Sequence, residues 1–392
     1  MAYEPSSSLK DKFQNARQCL SEMFPNRRRP GKTYQGFVKA IAKIPPQIQE
    51  QLQDHLCREH QKTAGLSWKI SGWVAFAADG SRVEMPRTQA NQKAFGCAAK
   101  KKTGPQFLLT TFYHMGSSLP WRWAIGAGID SERRQLRSIL SALPMGSLLV
   151  MDAGFTSYDL YKEILNKQLS FLVRVGANVT LLTDLGYEFD KSGNIVWLWP
   201  TGKRDQKPLK LRLIKIKVKS KSSSGSEGVY LLTNVFDSER LSDKLAGQFY
   251  KMRWGVEVFY RSFKQTLDQH KLRSASPDLA RAELHWSLTA LLLLGLMGVD
   301  ALVQDKRAPQ SLSIAGALRI VRRSMRSNAC WRFHGDICVL LCKAVKDNYQ
   351  RHSQKKSRDW PYKNREKPPG APKIRPAKPN EIACAKRIYN AA

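Results

Sequence analysis

Between residues 68 and 175, short apolar runs alternate with helical ones in a definite order. Residues 73–79 (WVAFAAD), 107–115 (FLLTTFYHM) and 121–126 (WRWAIG) have strand length and strand composition. The turn Gly116-Ser117-Ser118 makes a hairpin of the last two. Residues 131–143 carry helical periodicity, with Ser131 placed as an N-cap. A buried strand follows at 147–152 (SLLVMD), a helix at 158–167 and another strand at 170–175 (SFLVRV). The order β-β-β-α-β-α-β, with mostly short connections, predicts a mixed α/β sheet.

The flanks read differently. Residues 1–66 carry apolar residues at three-and-four spacing, broken by the basic turn 26–32 and by Pro45-Pro46. They predict a helical N-terminal region, either a DNA-binding headpiece or a cap on the main domain. Within 176–236, short strand-like pieces recur at 179–182, 195–199, 209–219 and 229–233, separated by turn clusters. This segment reads as a β-rich insertion between 67–175 and 237–305, the two parts of the α/β core. In LKLRLIKIKVK, Lys210 and Arg212 share one face while Lys215, Lys217 and Lys219 share the other. That slip predicts a β-bulge near Leu213-Ile214, and the three lysines form a basic face suited to DNA. Beyond 237 the chain is helical, with one helix expected over 238–268, another over 278–304, and a helical region over 306–350. Residues 351–392 hold 12 Lys and Arg, three acids and six prolines. Such a tail cannot form a core alone and is expected to be disordered or to lie along a partner's backbone.

Charge narrows the function. The 392 residues include 65 Lys and Arg against 32 Asp and Glu, a net charge of +33. A self-repelling excess of that size points to a polyanionic partner, nucleic acid before an acidic membrane. A small anionic substrate does not call for it. At 42% hydrophobic residues the chain has enough for a core, which excludes wholesale disorder. Seven scattered cysteines do not make a secreted disulfide framework. The first residues lack a signal peptide's apolar centre. The most apolar run, 288–299, falls short of the roughly 20 residues that span a bilayer, so a buried helix is expected and no membrane partner.

Two runs end in a carboxylate, Asp79 in AADGS and Asp152 in VMDAGF, each followed by a small residue. A carboxylate at the end of a buried strand is partly desolvated and needs a cation or hydrogen bonds. Capping a turn is the simpler role for either alone; as a pair they suit a divalent cation. On one helix over 238–268, at about 100° per residue, Tyr250, Arg253, Glu257, Arg261 and Lys264 fall within an arc of roughly 80°. Met252, Val256, Phe259 and Phe263 occupy the opposite side. A solvated face with Arg253–Glu257 and Glu257–Arg261 pairs accounts for this arrangement equally well. Phosphodiester chemistry gives it a purpose. Two Mg²⁺ ions about 3.5–4 Å apart activate the attacking oxygen and stabilise the leaving one, and Mg²⁺ prefers carboxylate oxygens. Three carboxylates suffice as ligands, and the surrounding arginines and lysine would hold flanking phosphates.

The stretch from Tyr250 through Arg253 and Glu257 to Lys264 fits the pattern Y-x2-R-x3-E-x6-K. It resembles the signature of the DDE transposases of insertion-sequence family four. Asp79-Gly80-Ser81, Asp152-Ala153-Gly154-Phe155, Leu232-Thr233-Asn234 and Leu272-Arg273-Ser274 agree in order and context. The resemblance runs from about residue 70 to 300. It implies an RNase H-like catalytic domain with a β insertion, and Asp79, Asp152 and Glu257 as ligands for two Mg²⁺ ions, with Mn²⁺ able to substitute. It implies Tyr250, Arg253 and Lys264 as contacts to transposon-end DNA. Trp197 and Trp199 become candidates for stacking on a displaced base. The family often carries Arg after the second Asp, where this chain has Ala153. The implied partners are terminal inverted repeats, target DNA and a second copy of the chain in a synaptic homodimer, in a prokaryotic cytoplasm at the nucleoid. The rival readings are a nuclease of the same fold without strand transfer and an inactive DNA-binding relic. An RNA-binding structural protein would explain the charge but not the carboxylates.

Three further signals have simpler explanations. Cys330, His334, Cys338 and Cys342 recur every four residues, but on a helix the ends lie about 18 Å apart, too far for one ion. His114 reads as a core histidine, and Lys100-Lys101-Lys102 as a solvated loop.

Overall fold

The computed structural model describes residues 1–6, 8–27, 31–97, 104–185, 194–217, 228–326, 337–347 and 370–390. The chain divides into two compact units. The first joins Met1–Pro144 to Arg253–Lys346, and the second joins Met145–Met252 to Asp347–Ala392.

The first unit is built on three antiparallel strands, β1 (Ala75–Glu84), β2 (Gln106–His114) and β3 (Leu119–Ala127). The hairpin between β2 and β3 is the expected one. β1 is longer than expected: it continues through Gly80 and Ser81 to Glu84, so Asp79 lies mid-strand rather than at a strand end. The cause is visible in the ladder, where Asp79 pairs with Thr111 and the register runs unbroken to Glu84 opposite Gln106.

Residues directly opposite on antiparallel strands share a face. One face, marked by Gly80 and Thr110, receives α1 (Glu132–Ile139), where Thr110 Oγ1 donates to Gln135 Oε1 at 2.8 Å. The other face, marked by Asp79, Thr111 and Tyr113, receives α2 (Gly255–Arg261). Gly255 allows this approach, because a Cβ there would stand 2.7 Å from the Tyr113 ring. The long helix α3 (Pro277–Gln304) is apolar on all sides, and 67% of its most apolar window is buried. It is a core helix, as its run of leucines suggested.

Three N-terminal helices, Leu9–Met23, Tyr34–Ala42 and Pro46–Ala64, also belong to this unit, as do Ile314–Arg326 and Ile337–Leu341 in the expected C-terminal helical region. Ser8 and Thr33 cap the first two through their hydroxyls. The third packs on α3 and β3 and buries His60. His114 is a buried, hydrogen-bonded core histidine, as expected.

The second unit contributes a mixed set of strands. β4 (Leu148–Met151) and β5 (Ser170–Val175) are parallel, joined through α4 (Tyr158–Asn166). The strands of the 176–236 segment are β6 (Thr180–Thr183), β7 (Ile195–Leu198), β8 (Leu209–Lys217) and β9 (Gly228–Thr233). They pair antiparallel in sequence, and β9 pairs antiparallel with β5, so they extend the β4–β5 sheet rather than forming a separate one. No bulge interrupts β8: Arg212 opposes Thr233, and the register holds to Lys217 opposite Gly228. The apparent slip is a buried cation. Arg212 is 7% exposed, and its guanidinium donates to the Leu241 carbonyl and the Asp243 carboxylate.

The end of the basic tail is ordered, contrary to expectation. Lys373–Pro376 adds to β6 as a parallel strand, and Pro379–Asn390 is helical. Glu381 offsets the local positive charge by accepting from Arg204 and Arg375 at 2.6–2.8 Å. The Arg375 hydrogen bond in particular holds its carboxyl down at about 2. Lys100 to Lys102, Cys330, His334, Lys219 and residues 351–369 lie outside the described residues.

Candidate active site

The expected single helix over 238–268 is interrupted. Helix α5 (Asp243–Met252) ends in the second unit, and after a turn at Arg253 and Trp254 the first unit continues with α2. Val256 N–H bonds to the Arg253 carbonyl at 3.1 Å, a tightened turn, and Gly255 next to it has low helix propensity. A π-helical turn, Ser262–Thr266, follows α2. The angular argument from Tyr250 therefore does not carry across the break.

Within α2 and the π turn the apolar side is as expected: Val256, Phe259 and Phe263 are buried. The polar side differs. Arg253 is 6% exposed rather than open, and its Nη2 donates to Glu257 Oε1 at 3.2 Å. Glu257 keeps 34% of its side chain exposed. Arg261 is exposed. Lys264 is half-buried and donates to Ser81 Oγ at 2.8 Å, two residues beyond Asp79 on the same face of β1. Burial lowers its ammonium pKa, with nearby Glu84 opposing the shift.

Sequence reasoning passed over Tyr260. It lies three residues after Glu257, is buried, and donates to the main-chain oxygen of Asp79 at 2.8 Å. Its position just outside the polar arc, one turn from Glu257, was the available signal. Glu132 also went unnoticed. Its side chain fills the space over Gly80, where an added Cβ would meet the carboxyl at 2.5 Å.

In the second unit, Asp152 closes β4 as expected. Its half-exposed carboxylate accepts from Gly154 N–H at 2.9 Å at the head of a short turn. Tyr250 is half-buried on α5, and Lys215 is exposed with its ammonium 5.5 Å above the Tyr230 ring. Trp197 and Trp199 are 4% and 2% exposed, which makes them core residues rather than open stacking platforms. The Trp199 indole N–H bonds to the carbonyls of Lys203 and Gln206, and Arg204 covers its ring at 4.2 Å. Lys217 closes β8. Among the described residues no three His, Cys, Asp or Glu side chains gather as a ready-made metal cage. The first unit itself brings the Asp79 strand and the Glu257 helix into direct contact, and both carboxylates are partly open.

The transposase DDE domain family matches residues 72–293, more than half of the sequence. The chain belongs to this family. The relationship expected from the Tyr250–Lys264 signature therefore holds, and membership in the DDE family implies dependence on a divalent metal. Among curated proteins the chain is similar to the transposase InsG for insertion sequence element IS4 of Escherichia coli K12. The two are 26% identical over 240 residues, covering 59% of this chain and 53% of InsG. The chain thus spans about half the length of that relative. Among solved structures, a piggyBac transposase synaptic complex with hairpin DNA is 12% identical at a TM-score of 0.40, covering 71% of this chain and 59% of that one. A Mos1 transposase paired-end complex with the left transposon end is 11% identical at a TM-score of 0.19, covering 42% and 54%.

Proposed function

We propose that this protein is the DNA transposase of an insertion sequence. Water attacks the phosphorus at a transposon end and the bond to the 3′ oxygen breaks. The freed 3′-hydroxyl then attacks a target phosphodiester, forming one P–O bond as another is lost. The observation that carries the reading is in the first unit. There a DDE-family chain ties the strand bearing Asp79 to the helix bearing Glu257 through the Tyr260 and Lys264 hydrogen bonds.

Asp79, Asp152 and Glu257 are the proposed ligands for two Mg²⁺ ions, with Mn²⁺ as a substitute. Their oxygens are hard donors of the kind Mg²⁺ prefers, and none of the three residues is fully buried. When bound, such ions neutralise phosphate charge and lower the pKa of an attacking oxygen. Arg253 is proposed to orient Glu257 through its Nη2 hydrogen bond as well as to contact end DNA. Arg261, Lys264, Tyr250 and the basic edge of β8, with Lys215 and Lys217, are the proposed phosphate contacts. Terminal inverted repeats, target DNA and a second copy of the chain are the proposed partners, at the nucleoid.

The test is an assay with labelled end-containing DNA, a plasmid target and Mg²⁺. Products joined to the target support the proposal. Cuts without joining would indicate a nuclease, and binding without cuts an inactive relic.

A further inference from the structure

The Tyr260 phenol lies in the seam between β1, β2 and α2. Its hydroxyl donates to the Asp79 carbonyl at 2.8 Å and stands 3.2 Å from the Leu109 carbonyl. Glu257 is three residues earlier, so the two side chains leave neighbouring points of one helix face, about 5–6 Å apart at Cβ. One end of this clamp is therefore Asp79 itself, and the other is the turn that carries Glu257. We propose that Tyr260 is a positioning residue that holds Asp79 and Glu257 at the separation a shared divalent cation requires. The proposal rests on reading those two carboxylates as metal ligands.

The chemistry of the clamp suits that task. Burial, and after it the charge of Asp79, keeps the phenol protonated far above its usual range. Its hydroxyl hydrogen is committed to a main-chain carbonyl, an acceptor that does not titrate. The other tether, Lys264 to Ser81, is half-buried and charged, so DNA phosphates and salt compete for it. The Tyr260 bond is buried and neutral, and neither competes. It acts on the main chain at Asp79, so it fixes where that side chain starts.

The experiment compares wild type, Tyr260→Phe and Asp79→Asn, titrated with Mn²⁺ alone and read by electron paramagnetic resonance. Removing an outer partner of a metal ligand weakens affinity about 10- to 100-fold, and that is the loss expected for Tyr260→Phe. Its affinity for end DNA in EDTA should stay within about twofold, since phosphate contacts set that affinity. Raised Mn²⁺ should restore part of its cleavage. A folded Tyr260→Phe with wild-type Mn²⁺ affinity, beside an impaired Asp79→Asn, overturns the clamp and leaves the ligand reading standing. An Asp79→Asn that binds Mn²⁺ like wild type overturns both. If Tyr260→Phe does not fold, 3-fluorotyrosine at position 260 gives the second measurement. Its fluorine resonance should move when Mg²⁺ is added, and should not move in the Asp79→Asn background. A resonance indifferent to Mg²⁺ overturns the proposal.

Discussion

Arg253 and Glu257 form an ion pair that joins folding to the proposed chemistry. The guanidinium is buried and the carboxylate is one-third open, so the pair costs less desolvation than a wholly buried one, yet it fixes the carboxylate's direction. Removing either partner leaves a different problem. Glu257→Gln keeps an oxygen to accept from Arg253 but loses the anion. We expect its cleavage of end DNA to fall at least about 100-fold, a larger loss than removal of an outer partner brings, with thermal stability nearly unchanged. Glu257→Ala removes the acceptor of Arg253 Nη2 and should cost about 1 kcal/mol of stability as well, discounted for the exposure of the acid. Cleavage kinetics and thermal melts of the two variants check this pair, and equal stability of both would remove the orienting role of Arg253. Asp79→Asn and Asp152→Asn should match Glu257→Gln in cleavage while binding end DNA normally. At this scale the sequence displayed the carboxylates and their spacing. It did not display Tyr260, because a tyrosine on the border of an amphipathic helix looks the same whether it packs or clamps.

At the scale of elements, most of the fold could be read from period and punctuation. β2, β3, β5 and the four strands of the 176–236 segment fall within a few residues of their expected places. Two errors share a cause: a polar residue was assumed to face water. Arg212 faces the core with Asp243, which imitated a bulge, and the Glu381 cluster orders a tail whose composition argued for disorder. The helix break at Arg253-Trp254 was hidden because a wheel assumes an unbroken axis.

Two predictions belong at this scale. Gly116 in the β2–β3 turn lies so close to the main chain of Ser67 that an added Cβ would stand 1.9 Å from its carbonyl oxygen. Gly116→Ala should destabilise by about 3 kcal/mol, the upper end for overpacking; urea unfolding measures it, and a change within about 0.5 kcal/mol, the range of ordinary surface substitutions, would contradict this account. The second concerns the histidines that join the third N-terminal helix to the hairpin. Ser117 N–H donates to His114 Nδ1, so Nε2 carries the proton that reaches the Trp68 carbonyl, and Ser117 Oγ bridges to His60 Nε2. A proton added at Nδ1 would displace that acceptor. Burial holds His60 well below its ordinary range and brings His114 and His285 down to about 4. The unfolded chain takes up these protons below about pH 6.5, while the folded chain resists until about pH 4. Stability is therefore full above that window and falls as pH drops through it, by up to about 1.4 kcal/mol per pH unit for each histidine. Melts between pH 7.5 and 4.5 should show the decline, and His114→Gln should make it shallower by one histidine's share, with His60 and His285 still contributing.

For the molecule as a whole, the excess of +33 is the property no single element explains. The described structure pairs some of it internally: Arg212 with Asp243, Arg253 with Glu257, Arg204 and Arg375 with Glu381. These pairs use few of the 65 cations, and acids are too scarce to neutralise the rest. What remains repels itself, and a polyanion relieves that repulsion by releasing its own condensed counterions. Binding to DNA should then weaken linearly in log affinity against log salt. A surface that neutralises about six phosphates should lose roughly 10³-fold in affinity between 50 and 200 mM salt. Removing single exposed cations should lower that slope by about one each, without changing sequence preference. Arg261→Ala and Lys215→Ala, on different units, are the variants to compare by fluorescence anisotropy at several salt concentrations. A slope unchanged in both variants would place the DNA elsewhere on the surface. A flat salt response in the wild type would mean that the charge serves something other than a nucleic acid backbone.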